Sequence, residues 1–435
     1  MKRRLFVAAG VAAALTGVAA CGSSDSGDKK DSSSSAAPAS NAPADGKGKK
    51  VTVWVMKGST SDAYNADIKA KFEAAHPGAT LDIQVQQWNG IGQKISSAIA
   101  SNDAPDVVEA GNTQIAGYAA TGGVYDLTSK VDELGGKDWI PGLAGPGKVD
   151  GKQYGIPFYA ADRVVIYNKE AFTAAGITPP KTRAEWLEAT KKLNTGDQQG
   201  IYLPGQNWYF YSGLLKDEGT DLTTKDGDKW KANVGTPQGA AAANFYKELA
   251  SYGKGPKDSD EKTQPETVAA ANGKIAQFVA VPGELANVIK ANPALAGKYD
   301  YFPIPGKDAA KPGANLTGGS DLFIPEKSKN KELAYDLIKL INSDEYQVKL
   351  AKELTYVPSK TTQVTALEGV PGATAQAIGA QNGFVIPATA SDNWGAVEDA
   401  NPLKAYLTKV LTGSDPIAAG KEADEAITKV LNTKS

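Results

Sequence analysis

Cysteine and histidine each occur once in this chain of 435 residues, as Cys21 and His76. A lone thiol excludes an internal disulfide, so the fold must rest on a packed core. A lone imidazole excludes zinc clusters built from Cys and His. It also leaves His76 as the sole candidate for a His-dependent triad, and its place before Pro77 at a predicted helix end suits a surface or capping role. Arginine is nearly as scarce: beyond Arg3 and Arg4 only Arg163 and Arg183 occur, and lysine carries every other basic charge. A chain that uses lysine for solvated charge keeps guanidinium where a rigid fork of donors is needed. Net charge is −2, or −5 without the basic Lys2-Arg3-Arg4 start, which argues against nucleic acid as a partner. No glycine loop of P-loop spacing occurs. Asp226-Gly227-Asp228 and Asp258-Ser259-Asp260 lack the further ligands and closing Glu of a calcium loop and read as solvated turns. Neither metal nor cofactor is expected.

The one thiol has a telling position. Lys2-Arg3-Arg4, an apolar stretch from Leu5 and the small residues Val18-Ala19-Ala20 form a secretory signal peptide, with Cys21 just after the cut. The apolar run is shorter than the roughly 20 residues of a membrane span. A thiol at that place is the group that forms a thioether with diacylglycerol, as in the lipobox of bacterial lipoproteins. The expectation is a signal peptide over 1–20, exported by the Sec route rather than the twin-arginine route. Cys21 is then lipidated, followed by a flexible Gly/Ser/Ala/Pro tether to residue 49. The protein is expected on the extracellular face of the cytoplasmic membrane, lipid-anchored and monomeric.

Order begins at Lys50. Val51 to Val55 reads as a strand, and Tyr64, Ile68 and Phe72 at fourfold spacing predict a helix from Ser61 that Pro77-Gly78 ends. A strand over 80–85, a helix over 93–101 and a short buried strand over 106–108 continue the rhythm of a parallel α/β sheet. A second block opens with Arg163 to Tyr167. Thr182 and Glu185 have capping-box spacing for a helix through Leu193, and Asp226-Gly227 reads as a hairpin turn. Residues 272–281 are strand-like, 330–341 are helical, and the tail from Asn401 is helical with Leu403, Tyr406, Leu407, Val410 and Leu411 on one face. Two α/β blocks predict two lobes.

Aromatic residues cluster beside amides. In Tyr202-Leu203-Pro204-Gly205-Gln206-Asn207-Trp208-Tyr209-Phe210-Tyr211 the four successive aromatics cannot all be expected to face one core. Some would line a cleft, with Gln206 and Asn207 as donors and acceptors beside them; a core segment under a loop is the competing reading. An aromatic face with neutral amides suits a sugar, since covering one ring face removes about 50 Å² of apolar area, on the order of 1 kcal/mol. Trp88-Asn89 after the second strand, Asn112 and Gln114 after the third, and Trp394 repeat the theme. Trp54, Trp186 and Trp230 read as core or support. Paired carboxylates are the one catalytic apparatus still available, so a secreted glycoside hydrolase is the enzyme alternative. A purely adhesive surface protein is a third.

Several segments occur in an order that resembles a known family: Ala116-Gly117-Tyr118-Ala119 with Gly122-Gly123, then Asp150-Gly151-Lys152-Gln153-Tyr154-Gly155-Ile156-Pro157, then Val165-Ile166-Tyr167-Asn168-Lys169. The chain is similar, over 50–435, to extracellular solute-binding proteins of ABC sugar importers related to maltose-binding protein. Trp88-Asn89-Gly90-Ile91, Gly111 to Gln114 and Tyr202 to Tyr209 resemble actinobacterial lipoproteins that bind chitobiose. The resemblance implies an α/β, two-lobed periplasmic-binding-protein fold whose lobes are joined by crossover strands around a ligand cleft. It implies no enzyme activity, an oligosaccharide ligand, with N,N′-diacetylchitobiose favoured, and an ABC permease as partner. The lobes would be 50–161 with 321–356, and 162–320 with 357–435. It places Lys57, Ser59 and Trp394 at the cleft, with Glu284 and Ser320, and puts Asp162 and Arg163 on its floor at the crossover; a lobe-packing ion pair is the other role open to Arg163. Two departures stand out. Pro282-Gly283-Glu284 lacks the aromatic that those binders carry before a Glu, and Asp162 replaces a neutral amide.

Overall fold

The computed structural model describes residues 46–261, 270–386 and 393–433. The signal peptide, Cys21 and the tether up to residue 45 lie outside the described residues.

Ser61 starts the first helix as its sequence context predicts. Its hydroxyl accepts the Tyr64 N–H at 3.0 Å, a cap that contributes about 1 kcal/mol, and Tyr64, Ile68 and Phe72 are buried along α1, Asp62–Ala75. His76 takes the C-cap position, but it is buried rather than on the surface, with its ring centroid 4.6 Å from that of Phe72. The strands that matter for the site are β1 Lys50–Met56, β2 Thr80–Gln86, β3 Val107–Gly111, β4 Ile156–Ala161, β5 Val164–Asn168, β6 Gln277–Ala280, β7 Tyr299–Pro303, β8 Gly318–Phe323 and β9 Val357–Pro358. The helices after α1 are α2 Ile91–Ala100, α3 Ile115–Ala120, α4 Arg183–Leu193, α5 Trp208–Asp217, α6 Pro237–Ala250, α7 Glu284–Ala291, α8 Lys331–Ile341, α9 Asp344–Leu354, α10 Ala373–Ala380, α11 Trp394–Ala400, α12 Pro402–Leu411 and α13 Pro416–Leu431.

Two sheets organise two lobes. The first runs β9-β4-β8-β3-β1-β2. β1 pairs in parallel with β2 and β3, as the sequence rhythm predicts, whereas β8 is antiparallel to both β3 and β4. The second sheet, β6-β5-β7, is wholly antiparallel, so the parallel pattern does not recur. The reason is topological. The chain leaves β4 and enters β5 through Asp162-Arg163 alone, and β8 later returns to the first sheet from the opposite direction.

The capping box at Thr182 and Glu185 forms, and the predicted hairpin turns at Gly227-Asp228, with φ +59° at Gly227. The aromatic run divides between core and cleft, with Trp208 and Tyr209 reaching the cleft lining. Trp208, Phe210 and Tyr211 all belong to one core with Trp186 and Tyr246, and Tyr209 packs against it. α5 packs against α6, α12 and the strand Asn315–Leu316, which buries most of its side chains. Trp186 is fully buried and donates to Gln277 Oε1 at 2.9 Å, in keeping with a supporting role. Arg183 forms a buried fork, 2.7 Å from Asp217 and 2.9 Å from Glu218. No described helix is long and apolar enough to cross a membrane.

Candidate functional site

A cleft of about 660 Å³ lies between the two lobes, at the end of the first sheet where Gly111, Ser320 and Tyr159 pair across three adjacent strands. A register shift between Ser320 and Asp321 aligns Ser320 with Tyr159. Such irregularities re-aim side chains at the rims of sites. Here it sets the Ser320 hydroxyl 3.3 Å from the Tyr159 hydroxyl.

The floor is aromatic. Tyr159 and Tyr356 both line the cleft and are stacked, with centroids 4.2 Å apart and an interplanar angle of 12°. Each hydroxyl is tied down from behind. Tyr356 donates to the Gly58 carbonyl at 2.7 Å, and Tyr159 donates to Glu109 Oε1 at 3.1 Å. Glu109 is fully buried and also accepts from Ser59 Oγ at 2.6 Å and the Met56 N–H at 2.7 Å. Burial pushes its carboxyl up to about 7, against the pull of these donors.

The lobe walls carry the amides and charges. On the first-lobe side Lys57, Trp88, Asn112 and Gln114 face the cleft, and Trp88 Nε1 donates to the Lys57 carbonyl at 3.1 Å. On the other side stand Trp208, Tyr209, Glu261 and Glu284. Arg163 crosses the floor, where its guanidinium is forked onto the Glu261 carboxylate and lies 3.8 Å above the Tyr209 ring. The Trp208 centroid is 4.1 Å from that of Tyr209, so Tyr209 has neighbours on its rings from both Trp208 and Arg163. Glu284 begins α7 and accepts from Asn287 Nδ2 at 3.0 Å; burial raises its carboxyl to about 7, with Glu261 adding to the rise and Lys57 opposing it.

Of the residues singled out from sequence, the cleft lining thus gathers Lys57, Trp88, Asn112, Gln114, Arg163, Trp208, Tyr209, Glu284 and Ser320. Six others lie off it for identifiable reasons. Ser59 is fully buried behind Tyr159. Asn89 is exposed on the loop beside Trp88. Asp162 is buried beneath the lining; its backbone N–H donates to Gln376 at 2.9 Å, and burial raises its carboxyl to about 6 against the pull of Thr317 and Arg163. Gln206 donates to Thr408 at 3.0 Å. Asn207 is the N-cap of α5, accepting the Phe210 N–H at 3.1 Å. Trp394 is inside the second-lobe core. Sequence reasoning missed Tyr159, Tyr356, Glu109 and Glu261. Tyr159 sits in an unbroken apolar strand and Glu109 among valines, so only their neighbours across the sheet reveal them.

The described residues contain no group of three or more His, Cys, Asp or Glu side chains placed to hold a metal ion. Comparison with known proteins decides the class. Residues 57–348 match the family model of the bacterial extracellular solute-binding protein. This chain belongs to that family. The solute-binding protein is 41% identical over 435 residues, 99% of both chains, to the diacetylchitobiose binding protein DasA of Streptomyces coelicolor. Its fold matches the GacH receptor of Streptomyces glaucescens with TM-score 0.77 and 24% identity, covering 89% of this chain and 99% of that one. It also matches the maltotriose binding protein of Thermus thermophilus with TM-score 0.74 and 21% identity, over 87% and 99%. The fold is therefore the two-lobed binding-protein fold that the family resemblance implies.

Proposed function

We propose that this solute-binding protein is the capture subunit of an ABC sugar importer, anchored through lipidated Cys21 at the extracellular face of the membrane, and that it binds without turnover. Its preferred ligand is a short β-linked oligosaccharide, N,N′-diacetylchitobiose first. The observation that carries this reading is the 41% identity to a diacetylchitobiose binding protein along 99% of both chains. The cleft chemistry supports it: a tyrosine floor for sugar C–H faces is ringed by amides and charged groups for hydroxyls. We take the lobes as 50–161 with 321–356 and 162–320 with 357–435. Sugar biases a hinge between them only through contacts that improve on closure, and the closed form is what a permease would read.

Titration calorimetry with diacetylchitobiose, cello-, xylo- and malto-oligosaccharides and trehalose tests the ligand, with chromatography of each mixture to look for cleavage. Tightest binding to diacetylchitobiose with intact sugar is the expected result. Preference for maltose or trehalose would overturn the ligand, and shortened products would make the protein a glycosidase.

A further inference from the structure

Two of the crossings between the sheets run side by side. The outgoing one is Asp162-Arg163, between β4 and β5, and the returning one is Thr317, which leads into β8; Ala161 and Gly318 pair beside them. Peptide groups at such a crossing leave the sheets and need other partners. Side chains from around the junction supply them. Asn315 Nδ2 donates to the Arg163 carbonyl at 2.6 Å. The Asp162 N–H donates to Gln376 Oε1 at 2.9 Å, and Nε2 of the same amide donates to the Thr355 carbonyl at 2.8 Å. Gln376 is fully buried on α10, which packs on β7 of the second sheet, whereas Thr355 ends α9 in the first lobe. Thr355 is held at φ +59°, an angle that a β-branched residue keeps only when its surroundings enforce it.

The carboxyl of Asp162 is the weak point of this junction. It is buried, and its Oδ1 has no hydrogen-bonding partner among the described residues. Arg163 is the charged group that acts on it, and that guanidinium is already forked onto Glu261. Thr317 and Gln376, which reach it from the other elements, are uncharged. Burial outweighs the pull of Thr317 and Arg163 and raises the acid from 3.8 to about 6. A buried carboxylate oxygen without a donor gains from whatever protonates or hydrates it. Protonation leaves the junction shut, while hydration requires the crossings to part. A neutral amide, which the chain's resemblance implies at this place in similar binders, feels no such pull.

We propose that Asp162 is a positioning residue that couples the lobe equilibrium to protons: charged, it favours parted crossings and an open cleft, and neutral, it favours the arrangement seen here. The inference rests on the hinged-binder reading above. Closing raises the acid, so the lobes take up a proton as they close, and the closed form loses ground as pH rises from 3.8 through about 6. Distances between spin labels at Asp103→Cys in the first lobe and Asp226→Cys in the second, in a Cys21→Ser background, read the equilibrium without sugar. From pH 5 to 7.5 the parent distribution is expected to shift to longer distances, and that of Asp162→Asn to stay in place. Thr317→Val removes a group that holds the acid down and should move the transition to higher pH. With diacetylchitobiose as probe, parent affinity should fall about tenfold more than that of Asp162→Asn over the same range, one proton being taken up on closure between pH 5 and 6. Glu109 and Glu284 titrate in both proteins, so the comparison isolates Asp162. A parent distribution that ignores pH, an Asp162→Asn distribution that shifts as far, or a Thr317→Val transition that does not move would each overturn the proposal. A parent whose lobes respond to pH but not to any sugar would instead defeat the functional reading alone.

Discussion

The Tyr159 hydroxyl donates to Glu109 at 3.1 Å, linking a surface of the cleft to a carboxyl with no exposure to solvent. Binding and folding are therefore coupled through one side chain. Tyr159→Phe keeps the ring and its stacking but removes a donor to a buried acceptor, at a cost of about 1–3 kcal/mol of stability. Tyr356→Ala should instead lower sugar affinity, by about 1–3 kcal/mol if the ring is a platform. Chemical denaturation and calorimetry of the pair separate the two effects; equal affinity in Tyr356→Ala would remove the floor from the site.

The same carboxyl gives a pH prediction. Glu109 and Glu284 are both raised from an ordinary glutamate value of 4.5 to about 7. Between those limits the folded chain holds protons that the unfolded chain has released. Their contribution is therefore complete below pH 4.5 and is lost as pH rises through about 7, by a few kcal/mol at most. Glu109→Gln should flatten this part of the stability profile. Denaturation midpoints of parent and variant, measured from pH 4.5 to 8, should converge or cross as pH rises; a constant offset would contradict the assignment.

Trp208→Ala tests two roles at once. The indole lines the cleft yet is only 2% exposed and lies in the second-lobe core. A loss of about 3–5 kcal/mol in stability is expected from the cavity, together with weaker sugar binding. A melting temperature close to the parent's would show that the site collapses without cost.

Cys21→Ser removes the only thiol in the chain, and the expected outcome is release of the protein into the soluble fraction. Fractionation of cells expressing the variant checks it; full retention with membranes would contradict lipid anchoring at Cys21.

Much of the fold was legible because it is local. Ser61, the Tyr64-Ile68-Phe72 stripe and the Thr182–Glu185 box each act within a few residues, and each forms. The wholly antiparallel second sheet was not, since strand direction is set by where the chain crosses between lobes. The site was legible where residues sit on loops after strands, as with Trp88, Asn112 and Gln114. It was obscured where a polar residue serves another. Asn207 looks like a sugar ligand and caps a helix, while Glu261 gains meaning only beside Arg163, which is distant in sequence. Arg163 and Arg183 both sit in buried forks, the use that the scarcity of arginine suggests.

The place of β8 has a consequence for how the chain comes to be folded. It lies between β4 and β3 in the middle of the first sheet, yet the whole of 162–317 separates it from β4 in sequence. A ribosome that has delivered the first 161 residues has made two halves of a sheet with an unfilled slot between them. The first-begun lobe is thus the one that must wait, and contacts of such long range close slowly.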